Sequence, residues 1–407
     1  MLELNELTKF QIKLMKKDWT YKKLGDCLSY IKNGANIKQT RGAGGIPITR
    51  IETLSGGVFN HDRLGFADIT DTKKYENFYL ETGDLLMSHI NSKTYIGRTV
   101  MYNQEGNEKI IHGMNLLRLK VIKELIYPSF FCYYAKSNRF KDDIVKIRKD
   151  AVNQSSICIS DIVQISIPIP PLVDQELIVR ELDAIHGILD KKQEQLRLLD
   201  HLAQAIFYDV FGDPITNPKQ WEVKKLGEVG ENGLTYGSGA SAVDFDGKVR
   251  YVRITDIRED GTLNDNIMSP NSIEDKYLLN EGDLLFARSG ATVGKTYLHV
   301  KNDMDYIYAG YLIRLIPNKE IVNPLYLFHI TKTQYYLEFI KSTQRAVAQP
   351  NINAKQYGDF SLPLPPLSLQ QSFAAKIEAI EAQKTAIRQS IREVEALLAE
   401  RMDHYFS

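Results

Sequence analysis

The chain has few cysteines and no long apolar run, and both absences limit what it can be. Its three cysteines, Cys27, Cys132 and Cys158, are far apart in 407 residues. A scattered, odd-numbered set does not form a disulfide scaffold, so we expect a protein of the reducing cytoplasm. No run of about 18 apolar residues is present to span a membrane, and residues 1–18 lack the apolar segment of a signal peptide. We therefore expect no membrane association.

Net charge is also absent, because 51 Lys+Arg balance 51 Asp+Glu. The balance hides an asymmetry, since basic side chains outnumber acidic ones in residues 1–165 but not in the remainder. A basic first third is compatible with a polyanion such as nucleic acid, although charge alone does not decide the partner. With 43% hydrophobic and 25% charged residues the composition is globular, and the length predicts two or three domains.

Patterns of catalytic or metal chemistry are scarce. Gly290 to Thr296 resembles a phosphate-binding loop, but its two glycines are separated by one residue fewer than that motif requires. The eight histidines are scattered, and no His or Cys cluster has metal spacing. A paired-carboxylate site stays open, although no pattern points to one. We expect no catalytic residue, no cofactor and no metal.

The chain does contain an internal repeat of about 200 residues. Trp19 returns as Trp221, and both are followed by the same Lys-Lys-Leu-Gly. Further matches keep the same order in both copies: Arg50-Ile51 with Arg253-Ile254, Gly83–Leu86 with Gly282–Leu285, Ile96–Thr99 with Val293–Thr296, and Ser166–Leu172 with Ser361–Leu367. The period is too long for a solenoid and predicts two copies of one module, each a globular part followed by a tail. The repeat alone does not distinguish this from a duplication without functional content.

Each tail is predicted to be one long helix. Apolar positions step by three and four from Gln175 to Val210, and again from Gln370 to Tyr405. A narrow seam of this kind over about five heptads is typical of coiled-coil packing. The other tail can cover each seam, so we expect the two helices to pack antiparallel, with the globular parts at opposite ends of a spacer of about 57 Å.

Prolines and two lysines mark the tails further. A proline pair precedes each helix, at Pro170-Pro171 and at Pro365-Pro366, and Gly212-Asp213-Pro214 ends the first. Lys192 and Lys384 each interrupt a seam. They either set the register of the helices or extend along the seam towards water as snorkelling lysines.

The globular parts mix strand and helix. Short apolar runs at Ile46–Ile51, Met114–Val121, Arg250–Ile254 and Tyr311–Ile316 predict strands. Pro128 and Pro324 each open an aromatic-rich stretch, and its helical spacing predicts that most of these aromatics are core.

Taken together, two such modules, each leading into Pro-x-Pro-Pro-Leu and a long helix, resemble the specificity subunit of type I restriction–modification systems. The Phe211-Gly212-Asp213-Pro214 junction, the Trp-x-x-x-x-Leu-Gly lead-in and the Gly-Asp-Leu-Leu strand also match this family. The resemblance covers residues 19–406. It implies an α+β fold in which two similar mixed α/β target-recognition domains are separated by an antiparallel coiled coil with pseudo-two-fold symmetry. The corresponding domains are 1–165, the helix 166–211, 212–361 and the helix 362–407.

The family implies a non-catalytic reader of double-stranded DNA. Each target-recognition domain would read one half of a bipartite site, and the helices would set the gap between the halves. The same helices would dock two methyltransferase subunits, which restriction (motor–nuclease) subunits would join. One turn of duplex is about 34–36 Å, so we expect half-sites about a turn apart on one face of the DNA.

Basic and polar residues in loops that the duplication makes equivalent are the candidates for DNA contact. They are Lys38, Arg41, Lys93 and Arg98 in the first module, and Lys248, Arg250, Arg288, Ser289, Lys295 and Arg345 in the second. Phosphate contacts would supply affinity, while base-edge contacts would supply sequence choice. An ordinary solvated surface charge is the competing interpretation for each.

Two other functions stay open at the level of sequence. A coiled-coil adaptor whose globular ends bind proteins, without DNA specificity, would show the same duplicated seam. An enzyme with an unrecognised site is the third. Within the leading interpretation, a fused methyltransferase–nuclease is an alternative partner.

Overall fold

The computed structural model describes residues 19–40, 44–69, 72–152, 154–300, 303–345 and 351–407. It forms two compact units. Unit 1 comprises Met1–Lys191 and Ile391–Ser407, and unit 2 comprises Lys192–Ser390. Each unit therefore contains one globular part of the repeat and a portion of each tail.

Unit 1 is built on a four-stranded antiparallel sheet. The strands of unit 1, in the main sheet and in smaller ones, are β1 (Thr20–Lys23), β2 (Leu28–Asn33), β3 (Gln39–Thr40), β4 (Ile46–Ile48), β5 (Gly65–Ala67), β6 (Leu85–Ser88), β7 (Ile90–Asn91), β8 (Thr99–Met101), β9 (Leu116–Val121), β10 (Lys149–Asp150), β11 (Ser155–Ser156) and β12 (Ser166–Ile169). Its helices are α1 (Pro128–Tyr134), α2 (Asn138–Ile147), α3 (Ile159–Ile162), the first part of α4 (Leu172–Phe211) and the end of the last helix, α8 (Leu367–Phe406). The main sheet has the order β2-β9-β6-β8, and smaller sheets have the orders β3-β5-β4 and β10-β11-β7.

The main sheet of unit 1 is buried on both faces. Every residue of β6 is buried. Leu85 and Met87 contribute to the cluster that contains the aromatic residues of α1, while Leu86 contributes to a second cluster with Leu54 and Tyr102. This explains why the β6 sequence is apolar without alternation.

Unit 2 repeats the plan with its own additions. Its strands are β13 (Glu222–Lys225), β14 (Gly230–Tyr236), β15 (Ala242–Asp244), β16 (Val249–Val252), β17 (Met268–Pro270), β18 (Leu284–Ala287), β19 (Thr296–Leu298), β20 (Asp305–Tyr308), β21 (Leu312–Pro317) and β22 (Ser361–Leu364). Its helices are α5 (Pro324–Ile330), α6 (Gln334–Arg345), α7 (Ala354–Gly358), the end of α4 and the first part of α8 (Leu367–Phe406). The main sheet has the order β14-β21-β18-β19, which is the arrangement of unit 1, and β16 pairs in parallel with β20.

The four predicted strands and the aromatic core are confirmed. The strands correspond to β4, β9, β16 and β21. Phe130, Phe131 and Tyr134 are buried in unit 1, and Tyr326 and Tyr336 are buried in unit 2. Within the described residues no helix is long and apolar enough to cross a bilayer.

The repeated proline motif forms a strand that leads into each long helix. In unit 1, β12 pairs antiparallel with β1, which places Pro168 opposite Tyr21. In unit 2, β22 pairs in the same way with β13, which places Pro363 opposite Val223. Each sheet has only two strands, so a proline that lacks an N–H is tolerated at its open edge. The two Trp-x-x-x-x-Leu-Gly segments contain β1 and β13, and their pairing with β12 and β22 fixes the position at which α4 and α8 begin.

A buried glutamine completes each of these joints. The side-chain oxygen of Gln175 accepts the Tyr127 N–H at 2.9 Å, while its amide donates to the carbonyls of Leu125 and Pro170. Gln370 makes the equivalent bonds in unit 2, to Asn323, Ile321 and Pro365. Both side chains are fully buried. Because every polar group of the amide is used, each glutamine fixes its helix to the segment before the aromatic helix.

The Gly-Asp repeat is likewise structural. Asp84 accepts the Glu81 N–H at 2.7 Å and contacts Arg118 at 2.6 Å. Asp283 accepts the Asn280 N–H at 2.8 Å and lies 3.6 Å from Arg314. Burial raises the pKa of both carboxyl groups, although these bonds act against the rise. The acid therefore closes the turn before β6 and β18.

The predicted antiparallel coiled coil is confirmed. In unit 1 the end of α8 packs on the start of α4, where Tyr405 and Arg401 both bond Glu181. In unit 2 the start of α8 packs on the end of α4, where the ring of Phe373 lies 5.7 Å from Phe207 and 5.1 Å from Phe211. Along both helices, which are described in full, every predicted seam position is buried or partly buried.

Lys384 sets the helix register in unit 2. Its Nζ lies 2.7 Å from the Asp200 carboxylate of α4 and 2.6 Å from Glu381. Burial alone would lower the pKa of Lys384, but the bonds to these two acids outweigh burial and raise it. The lysine side chain is buried, whereas Asp200 and Glu381 are 48% and 42% exposed, so the pair joins the two helices at the edge of the seam and favours one alignment of them. The register interpretation therefore applies to Lys384, in preference to snorkelling.

Candidate nucleic-acid interface

One end of the main sheet carries loops of the same kind in both units. In unit 2 this is the end where β14 and β18 finish and where β21 and β19 begin. In unit 1 it is the end where β2 and β6 finish and where β9 and β8 begin. We call these two regions the strand-end surfaces. Several predicted DNA contacts lie there.

Arg288 is the central residue of the strand-end surface of unit 2. It follows β18 directly, and its guanidinium lies over the ring of Tyr236 at 4.8 Å from the ring centroid. Its Nε also donates to the side-chain oxygen of Asn351 at 3.3 Å. A planar cation on an aromatic ring keeps its remaining donors available in one orientation. Such a group can bind phosphate or a guanine edge in two-point contact.

Ser289 and its neighbours complete this surface. Ser289 pairs with Asn351 as an isolated antiparallel bridge. The Arg288 N–H donates to the carbonyl of Tyr311, whose side chain is 63% exposed. An arginine, a hydroxyl, an amide and two tyrosines from four separate loops thus meet at one end of the sheet. These groups can contact phosphates and base edges.

Lys295, Lys248 and Arg250 lie apart from that cluster. Lys295 Nζ binds Glu259 at 2.8 Å, and its side chain is 20% exposed. Lys248 is exposed beside Gly247, in the turn before β16. Arg250 is only 7% exposed and donates to the Asn264 carbonyl at 2.5 Å. We therefore leave Arg250 out of the proposed interface, because contact with DNA would require the loss of this buried bond.

Unit 1 presents a related arrangement. The guanidinium of Arg98 lies 4.3 Å from the ring centroid of Tyr95, which is 46% exposed. Arg98 Nη1 also donates to the Leu54 carbonyl at 3.2 Å. Arg98 precedes β8 as Lys295 precedes β19. The basic residue that the repeat retains is therefore stacked in unit 1 and ion-paired in unit 2.

Lys93 belongs to the same surface of unit 1. Its Nζ lies 3.1 Å from Asp150, and its side chain is 61% exposed. The Ser155 hydroxyl and then Lys93 lower the pKa of the Asp150 carboxyl. An exposed pair of this kind contributes little stability, so the lysine is free to exchange its partner for a phosphate.

The other predicted contacts lie at the margins. Lys38 is exposed just before β3. Arg41 lies outside the described residues. Arg345 is the last residue of α6, and its side chain also lies outside the described part.

Three residues of these surfaces are absent from the sequence-based candidates. Tyr236 and Asn351 contact Arg288 from distant parts of the sequence. Tyr95, in contrast, lies close in sequence to Arg98, on which it stacks. An aromatic residue shortly before a retained basic residue, as in Tyr95 to Arg98, is the one signal that sequence offers. Within the described residues, no group of His, Cys, Asp and Glu side chains forms a metal site.

Two related modules, each with a partly buried arginine stacked on an exposed tyrosine beside its main sheet, define a protein with two recognition heads. Comparison with protein families supplies the identity of these heads. The type I restriction modification DNA specificity domain matches twice, at residues 16–198 and 218–396. The chain belongs to this family of specificity subunits.

Individual relatives agree with this assignment. The chain is 27% identical to the putative type I restriction enzyme MjaX specificity subunit of Methanocaldococcus jannaschii, with 92% of this chain and 89% of that protein covered. It is 23% identical to the StySPI specificity subunit of Salmonella potsdam, with 85% and 77% covered. The crystal structure of the type I S subunit from M. genitalium has a TM-score of 0.55 at 13% identity, with 96% of both chains covered, which shows a shared fold.

Proposed function

We propose that this chain reads a bipartite DNA sequence, with one half-site for each unit. The observation that carries the proposal is the recurrence of one surface type: an arginine stacked on an exposed tyrosine where the main sheet ends, at Arg98 in unit 1 and Arg288 in unit 2. The modules also share their strand order, while their loops differ in sequence. A conserved framework with different loops suits two heads that read different bases.

Each strand-end surface combines groups for two tasks. Exposed basic side chains such as Lys93 and Lys38 would neutralise phosphates and give affinity without sequence choice. Arg98, Arg288, Ser289 and Asn351 would address base edges, since arginine and asparagine make two-point contacts with guanine and adenine. The proposed target-recognition domains are residues 1–165 and 212–361, and the helical segments 166–211 and 362–407 would set the gap between half-sites.

The surface of α4 supports a role in assembly. Val173, Leu177 and Ile188 are 67%, 50% and 45% exposed, and Leu198 and Leu202 are 53% and 47% exposed. Val173, Leu177 and Ile188 belong to unit 1 and, at about 100° per residue, lie within an arc of about 60° on the helix; Leu198 and Leu202 belong to unit 2 and lie about 40° apart. None of the five is a seam position, and we call the two groups, one in each unit, the outer stripe of α4. Exposed apolar residues in a row indicate a protein partner.

We infer that the outer stripe of α4 docks methyltransferase subunits, two of them in the full complex, and that restriction subunits join that assembly. One solved relative with a TM-score of 0.52 was described in work on complex assembly of a type I restriction–modification system. Catalysis would then belong to the partners, and the chain itself would turn over no substrate. To check this, the isolated chain is incubated with DNA and a methyl donor. Methylation of the DNA would contradict the proposal that catalysis belongs to the partners.

Selection from random DNA tests the reading function. The chain, reconstituted with its methyltransferase, is incubated with a random-sequence duplex pool, and bound DNA is sequenced. We expect enrichment of one split motif with a constant gap. Flat enrichment would refute the proposal and favour the coiled-coil adaptor without DNA specificity.

A further inference from the structure

Each unit exposes a large uncharged side chain in the loop before an inner strand of its main sheet. Met114 precedes β9 and is 43% exposed, and Tyr311 precedes β21 and is 63% exposed. A glycine comes directly before each, at Gly113 and Gly310. Because β9 and β21 occupy the same place in their sheets, the two loops correspond, although the strand register aligns Met114 with Gly310 and places Tyr311 one position further along the loop. We call Met114 and Tyr311 the loop-tip residues.

Backbone bonds fix both loops, so the exposure does not come from a loose segment. The Met114 N–H donates to the Ala35 carbonyl at 3.1 Å. A Cβ at Gly113 would lie 2.1 Å from the Thr49 carbonyl oxygen, so only glycine allows this close approach. The rigid loop therefore directs Met114 outward.

The loop of unit 2 is held in a similar way. The Gly310 N–H donates to the Ser238 carbonyl at 2.7 Å, and the Tyr311 carbonyl accepts the Arg288 N–H at 3.1 Å. The second bond joins the loop-tip residue to the stacked arginine. Tyr311 and Arg288 thus belong to one preorganised surface, which is the arrangement that specific recognition requires.

Each unit exposes further apolar side chains in the loops of its sheets. Val152, at the turn between β10 and β11, is 99% exposed, and Tyr95 is 46% exposed. In unit 2, Tyr236 is 43% exposed. A single exposed apolar residue is ordinary, but exposed rings beside an arginine are not explained by phosphate binding alone: Tyr95 stacks on Arg98 in unit 1, and in unit 2 Tyr236 stacks on Arg288 while Tyr311 accepts its N–H. Apolar atoms gain nothing from phosphate, whereas they do pack on the 5-methyl group of thymine in the major groove.

We propose that Met114 and Tyr311 each contact the methyl group of a thymine, one in each half-site. The inference rests on the proposed DNA-reading function and adds a base-specific role for uncharged residues. Met114 has no N–H or O–H to donate, and its flexible thioether adapts to an apolar partner. Tyr311 would use its ring, so its hydroxyl is dispensable for this contact.

Uracil, which is thymine without the methyl group, gives a direct test. The full chain, reconstituted with its methyltransferase, is bound to its selected duplex, and each thymine is replaced in turn by deoxyuridine. We expect one replacement in each half-site to weaken binding about 3- to 5-fold, the effect of losing one buried methyl group. In Met114→Ala one half-site loses its sensitivity to uracil, and in Tyr311→Ala the other half-site does.

Conservative and distant variants separate the contact from a folding defect. Tyr311→Phe keeps the ring and should keep the uracil sensitivity. Val145→Ala on α2 and Leu337→Ala on α6 remove side chains that are 51% and 45% exposed elsewhere in each unit, and they should change nothing. If the wild-type complex selects a split motif but no thymine is sensitive, or the sensitivity survives both loop-tip variants, this inference is overturned while the reading function stands. If no motif is selected, the proposed function itself fails.

Discussion

Replacement of Arg288 by alanine should weaken recognition of one half-site and leave the other unchanged. The side chain is held by Tyr236 at 4.8 Å and by a long 3.3 Å bond to Asn351, so it is oriented but not buried. Its loss should cost the fold less than about 1 kcal/mol, since surface substitutions usually have small effects. The loss of one base contact costs about 1–3 kcal/mol, which is a 5- to 150-fold weaker binding.

Fluorescence anisotropy of the reconstituted complex measures this effect. Three duplexes are compared: the selected site, and two versions in which one half-site or the other is scrambled. If Arg288 contacts a base, the variant loses its preference for one intact half and keeps its preference for the other. If Arg288 contacts only phosphate, affinity falls on all duplexes and the slope of log affinity against log salt decreases by about 1.

A matched arginine supplies the control. Arg258 also belongs to unit 2, pairs with Asp265 at 2.8 Å and is 49% exposed, and its partner is none of the residues that hold Arg288, which are Tyr236 and Asn351. Arg258→Ala should bind both half-sites as the wild type does. Equal loss at both half-sites in Arg288→Ala, or no loss, would refute the role assigned to Arg288.

Three further predictions concern stability and assembly. Gln370→Leu leaves the Asn323 N–H and two carbonyls without hydrogen-bond partners, so the free energy of unfolding measured in urea should fall by about 2–5 kcal/mol. Replacement of the exposed neighbour, Gln371→Leu, should lower it by less than about 0.5 kcal/mol. Burial, aided by Lys384 and Lys332, lowers the pKa of His329 to about 3. Because the unfolded chain binds the extra proton first, His329 should contribute a stability loss of about 1.4 kcal/mol per pH unit as the pH drops from about 6.5 towards 3. In urea titrations His329→Leu should reduce the slope of stability against pH by that amount, while the buried His112, whose pKa is also lowered to about 3, keeps contributing. Leu177→Asp and Leu202→Asp in the outer stripe should each weaken methyltransferase binding, measured by calorimetry, about tenfold or more. Ser372→Asp, at the position of α8 that corresponds to Leu177, should leave binding unchanged. Equal effects of all three variants would contradict docking on α4.

The long-range plan of the molecule is predictable from sequence because it rests on periodic and repeated signals. The seam steps from Gln175 and Gln370 define both helices, and the proline pairs define where they begin. Because these signals depend on neighbouring residues in the chain, no tertiary information is needed. The antiparallel pairing follows from the need of each seam for a cover.

The interface is only partly predictable, because side-chain burial depends on residues distant in sequence. Arg250 looks like an exposed loop cation but bonds Asn264 beneath the surface, and Lys295 pairs with Glu259. Conversely, Tyr236 and Asn351 join Arg288 from loops about 50 to 60 residues away on either side, a proximity that only the sheet order creates. Lys384 similarly reveals its role only through Asp200 on the other helix.

The DNA sequence around the modified bases shows whether each unit reads one half of a split site. Genomic DNA without prior modification is treated with the reconstituted methyltransferase complex and a methyl donor, and every methylated position is mapped by sequencing. We expect the methylated positions to share one split motif with a constant gap, and Arg288→Ala to relax one half of it alone. Methylation at a continuous motif, or at positions without any shared sequence, would contradict two heads that each read half a site.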